Sequence, residues 1–357
     1  MISKMRNKYF NIFLFALTSL GLWGCMKDNE WVKSHQNSTL LTKGVFIVNE
    51  GNFMYGNASL SFYDPETRKL QNDIFQNVNG LPLGDVAQSM EIHNNLGYIV
   101  INNSGKIYVI DPADGKYIGK ITGLTSPRYI HFVNNEKAYI TDLYAGKITI
   151  VNPATSQITG EIPTTGHQST EQMVQWNNFL FVSCWSFDNT ILVIDTQTDQ
   201  VAGEIKTGKQ PGGMVIDKFN KIWTLCDGGW ARSGASPRVP VLEQINPSTR
   251  LIEKSFELSS DAAPSRLAIN GTGDTILFIN NGIWKLGVTQ NTMSDRPFLV
   301  TGNHLYYSLA IDPLTSELYL SDAIDYQQKG VIYRYSPLGA KIDSFKTGII
   351  PGSFCFR

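Results

Sequence analysis

The chain is poor in the residues that most chemistry needs. Its 357 residues hold four cysteines and five histidines, too few and too scattered for a disulfide framework or a clustered metal centre. Cys184, Cys226 and Cys355 each lie in an apolar run and form no Cys-x-x-Cys pair, so they are expected as small buried hydrophobes. No Gly-x-Ser-x-Gly occurs, and no glycine-rich loop suited to cradling phosphate. Gly51, Gly56, Gly228 and Gly229 read as turn glycines. Neither charge predominates: 30 basic residues face 31 acidic ones, so nothing suggests a nucleic acid or an anionic bilayer as partner. Long apolar runs are missing as well.

The longest apolar stretch, Ile12 to Leu22, is too short to span a bilayer as a helix, which takes roughly 20 apolar residues. It follows Lys4, Arg6 and Lys8 and precedes Gly24 and Cys25, the layout of a secretory signal. The junction resembles the lipobox of bacterial lipoproteins, in which the cysteine thiol is acylated. Met26-Lys27-Asp28-Asn29-Glu30 resembles the export tag that carries Bacteroidetes lipoproteins to the outer face of the outer membrane. These resemblances imply residues 1–24 as signal peptide, Cys25 as lipidation site, and attachment to the membrane through the lipid alone. Residues 26–42 are polar and unpatterned, a tether with a reach of roughly 20 to 25 Å.

From residue 43 onward the chain repeats. Strand-like segments end in a turn signature: "SFYDPETRKL", "IYVIDPADGKYIGKI", "ITIVNPATSQITGEI", "LVIDTQTDQVAGEI", "EQINPSTRLIEKSF" and "YRYSPLGAKIDSF". The anchors are Asp64, Asp111, Asn152, Asp195, Asn246 and Ser336, at intervals of 47, 41, 43, 51 and 90. The last interval is two periods, with the missing anchor near Gly282 to Val288, where the signature has decayed. An Asx side chain caps the turn and a following Pro presets φ. Val, Ile, Thr and Tyr dominate, Gly, Pro and Asn interrupt every apolar run, and no helix is expected. Seven units over residues 43–357, each with four short strands, predict an all-β fold: a seven-bladed β-propeller of antiparallel sheets.

The first unit has no inner strand of its own, while the terminal "IPGSFCFR" matches the inner strands "QPGGMVID" and "APSRLAIN". The C-terminal strand is therefore expected to complete the first blade and close the ring, removing exposed sheet edges.

Loops joining second to third strands build one face of such a ring. They carry Phe53, Tyr55, Tyr144, Trp185, Phe187, Trp230 and Tyr326, a clustering of aromatics that marks a binding rim. Asn49, Asn52, Asp142, Asp188, Asp227, Asp322 and Asp325 are interleaved with them and offer polar partners. The expected ligand site comprises Phe53, Tyr55, Asp142, Tyr144, Trp185, Phe187, Asp227, Trp230, Asp322 and Tyr326. Catalytic residues and a metal are not expected: His167 and His304 fall on opposite sides of the channel, His93 on the far face, His131 at an inner-strand end and His35 in the tether. "DAIDYQQ" has too few oxygens at tight spacing for calcium.

The repeats "YVIDPADG", "ITIVNPATSQITGEI" and "LVIDTQTDQVAGEI" resemble YncE-type seven-bladed propellers over nearly all of the chain beyond residue 43. With the surface tag, "GVFIVNEGNFMYGNASL" and "TEQMVQWNNFLFVSCWSF" are similar to the BtuG type of surface lipoprotein. That resemblance implies capture of cobalamin or another corrinoid, with no cofactor required for activity, and transfer to a TonB-dependent transporter of the BtuB type. Two alternatives stay open: capture of a glycan, since sugars also stack on Tyr and Trp, and a propeller lactonase or lyase. The enzyme would need a metal or a His–carboxylate pair in the channel mouth.

Overall fold

The computed structural model describes residues 41–229 and 238–357; Cys25, His35 and Trp230 lie outside them. Each repeat folds into a four-stranded antiparallel sheet. Blade 1 contains β1 (Val45–Asn49), β2 (Ser59–Asp64) and β3 (Lys69–Gln71). Blade 2 runs β4 (Ala87–His93), β5 (Leu96–Ile101), β6 (Lys106–Ile110) and β7 (Tyr117–Thr122). Blade 3 runs β8 (Pro127–Phe132), β9 (Ala138–Asp142), β10 (Lys147–Asn152) and β11 (Gln157–Pro163). Blade 4 runs β12 (Met173–Trp176), β13 (Phe179–Cys184), β14 (Thr190–Asp195) and β15 (Gln200–Lys206). Blade 5 runs β16 (Pro211–Ile216), β17 (Ile222–Cys226), β18 (Val241–Asn246) and β19 (Leu251–Glu257). Blade 6 runs β20 (Ser265–Ile269), β21 (Thr275–Ile279), β22 (Gly282–Gly287) and β23 (Leu299–Val300). Blade 7 runs β24 (Tyr306–Ile311), β25 (Leu318–Asp322), β26 (Lys329–Tyr335) and β27 (Lys341–Ile349). The last strand, β28 (Pro351–Phe356), pairs with β1 as the inner strand of blade 1 and closes the seven-bladed ring.

The expected turn residues do the expected work. Asp64 accepts from the backbone N–H of Glu66 (2.8 Å), Asp111 from Ala113 (2.7 Å), Asn152 from Ala154 (2.9 Å) and Asp195 from Gln197 (2.8 Å). Asn246 repeats the contact with Ser248, while the Ser336 hydroxyl accepts from Ala340 N, four residues on. Blade 6 is the exception: β23 has two residues, and only Gly282 and Ile283 pair with it.

Middle strands are apolar on both faces because blades stack on both sides of them. Neighbouring blades share an apolar cluster at each interface around the ring, as in Phe181, Ile191 and Val193 of blade 4 against Met214, Ile222 and Ile245 of blade 5. The outer strands β7, β11, β15 and β19 are mostly exposed, and each buries one anchor: Ile121, Ile162, Ile205 or Phe256. Such an anchor contributes about 1.5–3 kcal/mol. Cys184, Cys226 and Cys355 are buried and unbridged.

One short helix departs from the expectation of none. In α1 (Ile74–Asn79), Ile74 and Phe75 pack into the interface between blades 1 and 2. Gly80 ends it in the left-handed region (φ 65°), donating its N–H to Gln76. One and a half turns are too few for a helical hydrophobic period to show in sequence. Leu41 is 1% exposed in the same cluster. Among the described residues no helix is long and apolar enough to cross a membrane.

Candidate functional site

Six of the seven inner strands are irregular within their first residues. The pairing register shifts between Pro351 and Ser353, Ala87 and Ser89, Pro127 and Ile130, Pro211 and Gly213, Ser265 and Ala268, and Tyr306 and Ser308. Each bulge adds one residue: Gly352, Gln88, Gly212 and Tyr307 are unpaired, while Arg128 with Tyr129 and Arg266 with Leu267 stand two against one opposite Thr141 and Phe278. A bulge bends the strand and re-aims its side chain; several of these residues converge on the channel. Val86, Gln210 and Ile350, immediately before three of these strands, hold left-handed backbone (φ 55°, 57° and 52°), a strained state for Val and Ile.

The bulges surround a cavity of about 550 Å³ lined by Arg128, Tyr129, Glu171, Gln172, Trp185, Gln210, Asp227, Arg266, Tyr306, Tyr307 and Tyr326, among others. It opens on the face that carries the second-to-third-strand loops. Its charges are paired internally. Arg128 Nε donates to Glu171 at 2.8 Å and Nη1 to Gln88 at 2.5 Å. Tyr307 OH donates to Glu50 at 2.9 Å, and Arg266 Nη2 lies 3.7 Å from the same carboxylate. Arg266 also stacks over the Tyr307 ring at 5.1 Å. Burial pushes the Glu50 carboxyl up, against the opposing pull of Arg266 and the Tyr307 hydroxyl. Gly352 makes room for it: a Cβ there would lie 2.1 Å from Glu50 Oε1. Asp227 is likewise raised by burial, offset by donors. These are Trp185 Nε1 at 2.9 Å, Gly229 N at 2.7 Å and Gln210 Nε2 at 3.0 Å.

The residues expected from sequence divide into three groups. Trp185, Asp227 and Tyr326 line the cavity. Phe53, Tyr55, Tyr144 and Phe187 stand on the rim, all more than half exposed. Phe187 and Tyr326 hold positive φ (63° and 62°), and Asn52 Nδ2 fixes the Tyr326 carbonyl at 2.6 Å. Asp142 and Asp322 are instead buried, at 2% and 5% exposure. Asp142 accepts from the backbone N–H of Ser126 (2.7 Å), Tyr144 (2.9 Å) and Ala145 (3.0 Å). Asp322 accepts from Leu305 N, Ile324 N and His304 Nδ1. Both brace loops and present no free oxygen pair to a ligand. Trp230 lies outside the described residues.

Sequence reading missed Arg128, Glu171, Arg266, Tyr307 and Glu50. The signal was present: Arg128 and Arg266 occupy equivalent places in "SPRYI" and "PSRLA", each the second residue of an inner strand. Nor are His–carboxylate pairs lacking on this face. His167 Nδ1 lies 2.6 Å from Asp188 and His304 Nδ1 2.9 Å from Asp322, but neither histidine lines the cavity. His131 instead meets Gln175 at 2.9 Å. A larger groove of about 900 Å³ lies along the outer edge of blade 6; it is the space beside the stunted β23, and no comparable ring of charged and aromatic groups converges on it.

Fold and site together define a seven-bladed β-propeller with a polar, tyrosine-rich funnel on its loop-bearing face. The chain belongs to the family described as Domain of unknown function (DUF5074), which matches residues 43–347. Among curated proteins no sequence relative matches. Similar solved structures include a quinonprotein alcohol dehydrogenase-like protein from Bacteroides thetaiotaomicron VPI-5482, 15% identical with a TM-score of 0.69. The match covers 89% of this chain and 79% of that one. The periplasmic gluconolactonase PpgL of Pseudomonas aeruginosa is 11% identical, with a TM-score of 0.63 and coverage of 88% and 99%. A streptogramin B lyase is 14% identical, with a TM-score of 0.59 and coverage of 75% and 86%. At these identities the likeness is one of fold, and fold does not fix chemistry.

Proposed function

We propose that this propeller is a ligand-capture protein, and that its ligand is a corrinoid held across the funnel and rim. The observation that carries this reading is the internal neutralisation of the funnel. Arg128 faces Glu171 and Arg266 faces Glu50, so neither arginine is an open trap for an anion. What remains for a ligand is aromatic surface (the Trp185, Tyr129, Tyr307 and Tyr326 rings) beside the Gln172 amide. Such a lining suits a ligand of low net charge, with many amides or hydroxyls and a flat ring system. A cavity of about 550 Å³ holds one arm of a large ligand, while the exposed Tyr144 and Phe187 support its ring. Acylation at Cys25 would hold the protein at the cell surface, and release of the corrinoid to a TonB-dependent transporter would complete the task.

Calorimetric titration with cyanocobalamin, set against a panel of oligosaccharides, tests the ligand. Trp185→Ala should weaken corrinoid binding roughly thirtyfold, the loss of about 2 kcal/mol expected for a stacked aromatic in a desolvated site. Tyr144→Ala, at the open rim, should cost less. No cyanocobalamin binding by the unaltered protein would dismiss the corrinoid, and saturable binding of one oligosaccharide in its place would assign a glycan. Turnover of a lactone would move the assignment to an enzyme.

A further inference from the structure

Blade 4 breaks a rule that its neighbours keep. At or just after the end of the second strand, the other blades place Asn49, Asn102, Asp142, Asp227, Asn280 and Asp322. These side chains tie down an adjoining loop or strand: Asn49 accepts from Gly348 N, Asn102 donates to Pro127 O, and Asn280 accepts from Ala263 N. In blade 4 the strand ends on Cys184, and the incoming loop is held through His167 and Asp188 instead. The donor atoms of His167, Cys184 and Asp188 all lie within 4.8 Å of one another. We propose that these three residues form a site for a zinc-class divalent metal, which fixes the loop presenting Trp185 and Phe187.

The donor set is one imidazole nitrogen, one sulfur and one carboxylate oxygen, the mixture that borderline metals such as zinc accept. The surroundings of His167 point to a cation. Its Nδ1 lies 2.6 Å from Asp188 Oδ2 and its Nε2 lies 3.3 Å from Glu204 Oε1. A neutral imidazole has a single N–H for those two acceptors. With Nε2–H donated to Glu204, the Nδ1 lone pair faces a carboxylate and a cation between them resolves the contact. Glu204 then acts as the outer carboxylate that orients a metal-binding histidine. Tetrahedral zinc separates its ligand atoms by roughly 3.3–3.6 Å, from bond lengths of about 2.0–2.3 Å. The 2.6 Å contact opens, and because no pair lies more than 4.8 Å apart the others need close by no more than about 1 Å, within reach of side-chain rotation. Metal entry displaces the Cys184 thiol proton to solvent, leaving the thiolate as ligand. Cys184 and Asp188 bracket the segment Trp185-Ser186-Phe187, so a metal bound by both holds the aromatic pair at the mouth. The site stands whether or not the funnel's ligand is a corrinoid.

The test strips the whole chain with chelator, then titrates it with Zn²⁺ and, separately, Co²⁺, with no corrinoid present. One Zn²⁺ per chain is expected, and the cobalt form should show a near-ultraviolet thiolate-to-cobalt charge-transfer band. Cys184→Ser should abolish that band. Asp188→Asn and His167→Ala should each weaken Zn²⁺ at least tenfold, and Glu204→Gln about tenfold through loss of the orienting contact. Circular dichroism checks the fold of each variant; if His167→Ala does not fold, the size-preserving Asp188→Asn and Glu204→Gln carry the test. Absence of stoichiometric metal and of the band in the unaltered chain overturns the proposal and leaves His167 as a hydrogen-bonded link between Asp188 and Glu204. A band that persists in Cys184→Ser overturns it too, since the cobalt then sits elsewhere.

Discussion

The two ends of the ring use the same residue types to opposite effect. At the end away from the funnel, Asp64, Asp111, Asn152 and Asp195 are half-buried and accept backbone N–H groups within their own turns. Asp64 is held below the usual carboxylate range, chiefly by the Thr67 hydroxyl, and Asp274 is lowered to about 2 by Asn270, Thr275 and Thr272. At the funnel end, Glu50 and Asp227 are pushed up by burial. Acids at the first end stabilise the fold by closing hairpins. Acids at the second are costly to ionise, and each has a partner from another blade: Glu50 of blade 1 meets Tyr307 of blade 7, and Trp185 of blade 4 meets Asp227 of blade 5. A turn needs only its own few residues, whereas a funnel needs the whole ring.

Removing the ring should destroy the funnel end altogether. Deleting Pro351–Arg357 takes away β28 and leaves β1 with an unpaired edge. Loss of cooperative unfolding and aggregation are expected; a monomer with unchanged Tm would show that closure is dispensable. Next in size, Glu171→Ala strands the half-buried Arg128, whose side chain is 18% exposed. A loss of about 3 kcal/mol is expected in denaturant unfolding, the usual cost of breaking a buried pair from one side. Gly352→Ala should cost about 1–3 kcal/mol, because its Cβ collides with the Glu50 carboxylate and forces it to shift. Asp111→Ala, which leaves one part-buried turn N–H without its acceptor, should cost about 1 kcal/mol. If Asp111→Ala proved as damaging as Glu171→Ala, the division between local and ring-wide roles would fail.

The smallest effect is the sharpest comparison, because it changes sign. Asp64 has a folded pKa below its unfolded value of about 4, so its contribution is present above that value and lost as pH falls through the folded one. Asp227 has a folded pKa above the same reference. Its contribution is fully present below about pH 4 and lost as pH rises through the raised value. Stability measured against pH should therefore lose an acid-side slope in Asp64→Asn and a slope of opposite sign in Asp227→Asn. Slopes of the same sign in both variants would contradict the assignment.

Legibility in the sequence follows the same division. The blade count, the strands and the C-terminal closing strand could be read because Asx-Pro turns and apolar runs are local patterns repeated at a steady period. Trp185, Asp227 and Tyr326 could be read because loops between known strands must lie on one face. Asp142 and Asp322 stand at equivalent loop positions, yet they brace backbone; nothing in composition separates a bracing Asp from one facing a ligand. Helix α1 was too short to announce itself.

The sequence by itself determined the architecture, since each turn and each apolar strand is specified by its own neighbours. Only the tertiary structure decided which inner-strand residues join the rim loops in the funnel. Side chains alternate along a strand with a period of two, so one bulged residue reverses which way a side chain faces. Arg128 and Arg266 reach the channel through such bulges. Their charges are then set by Glu171 and Glu50, the one 43 residues away along the chain, the other on the far side of the closing strand. Those pairings exist once seven sheets have closed into a ring and a low-dielectric mouth has formed between them.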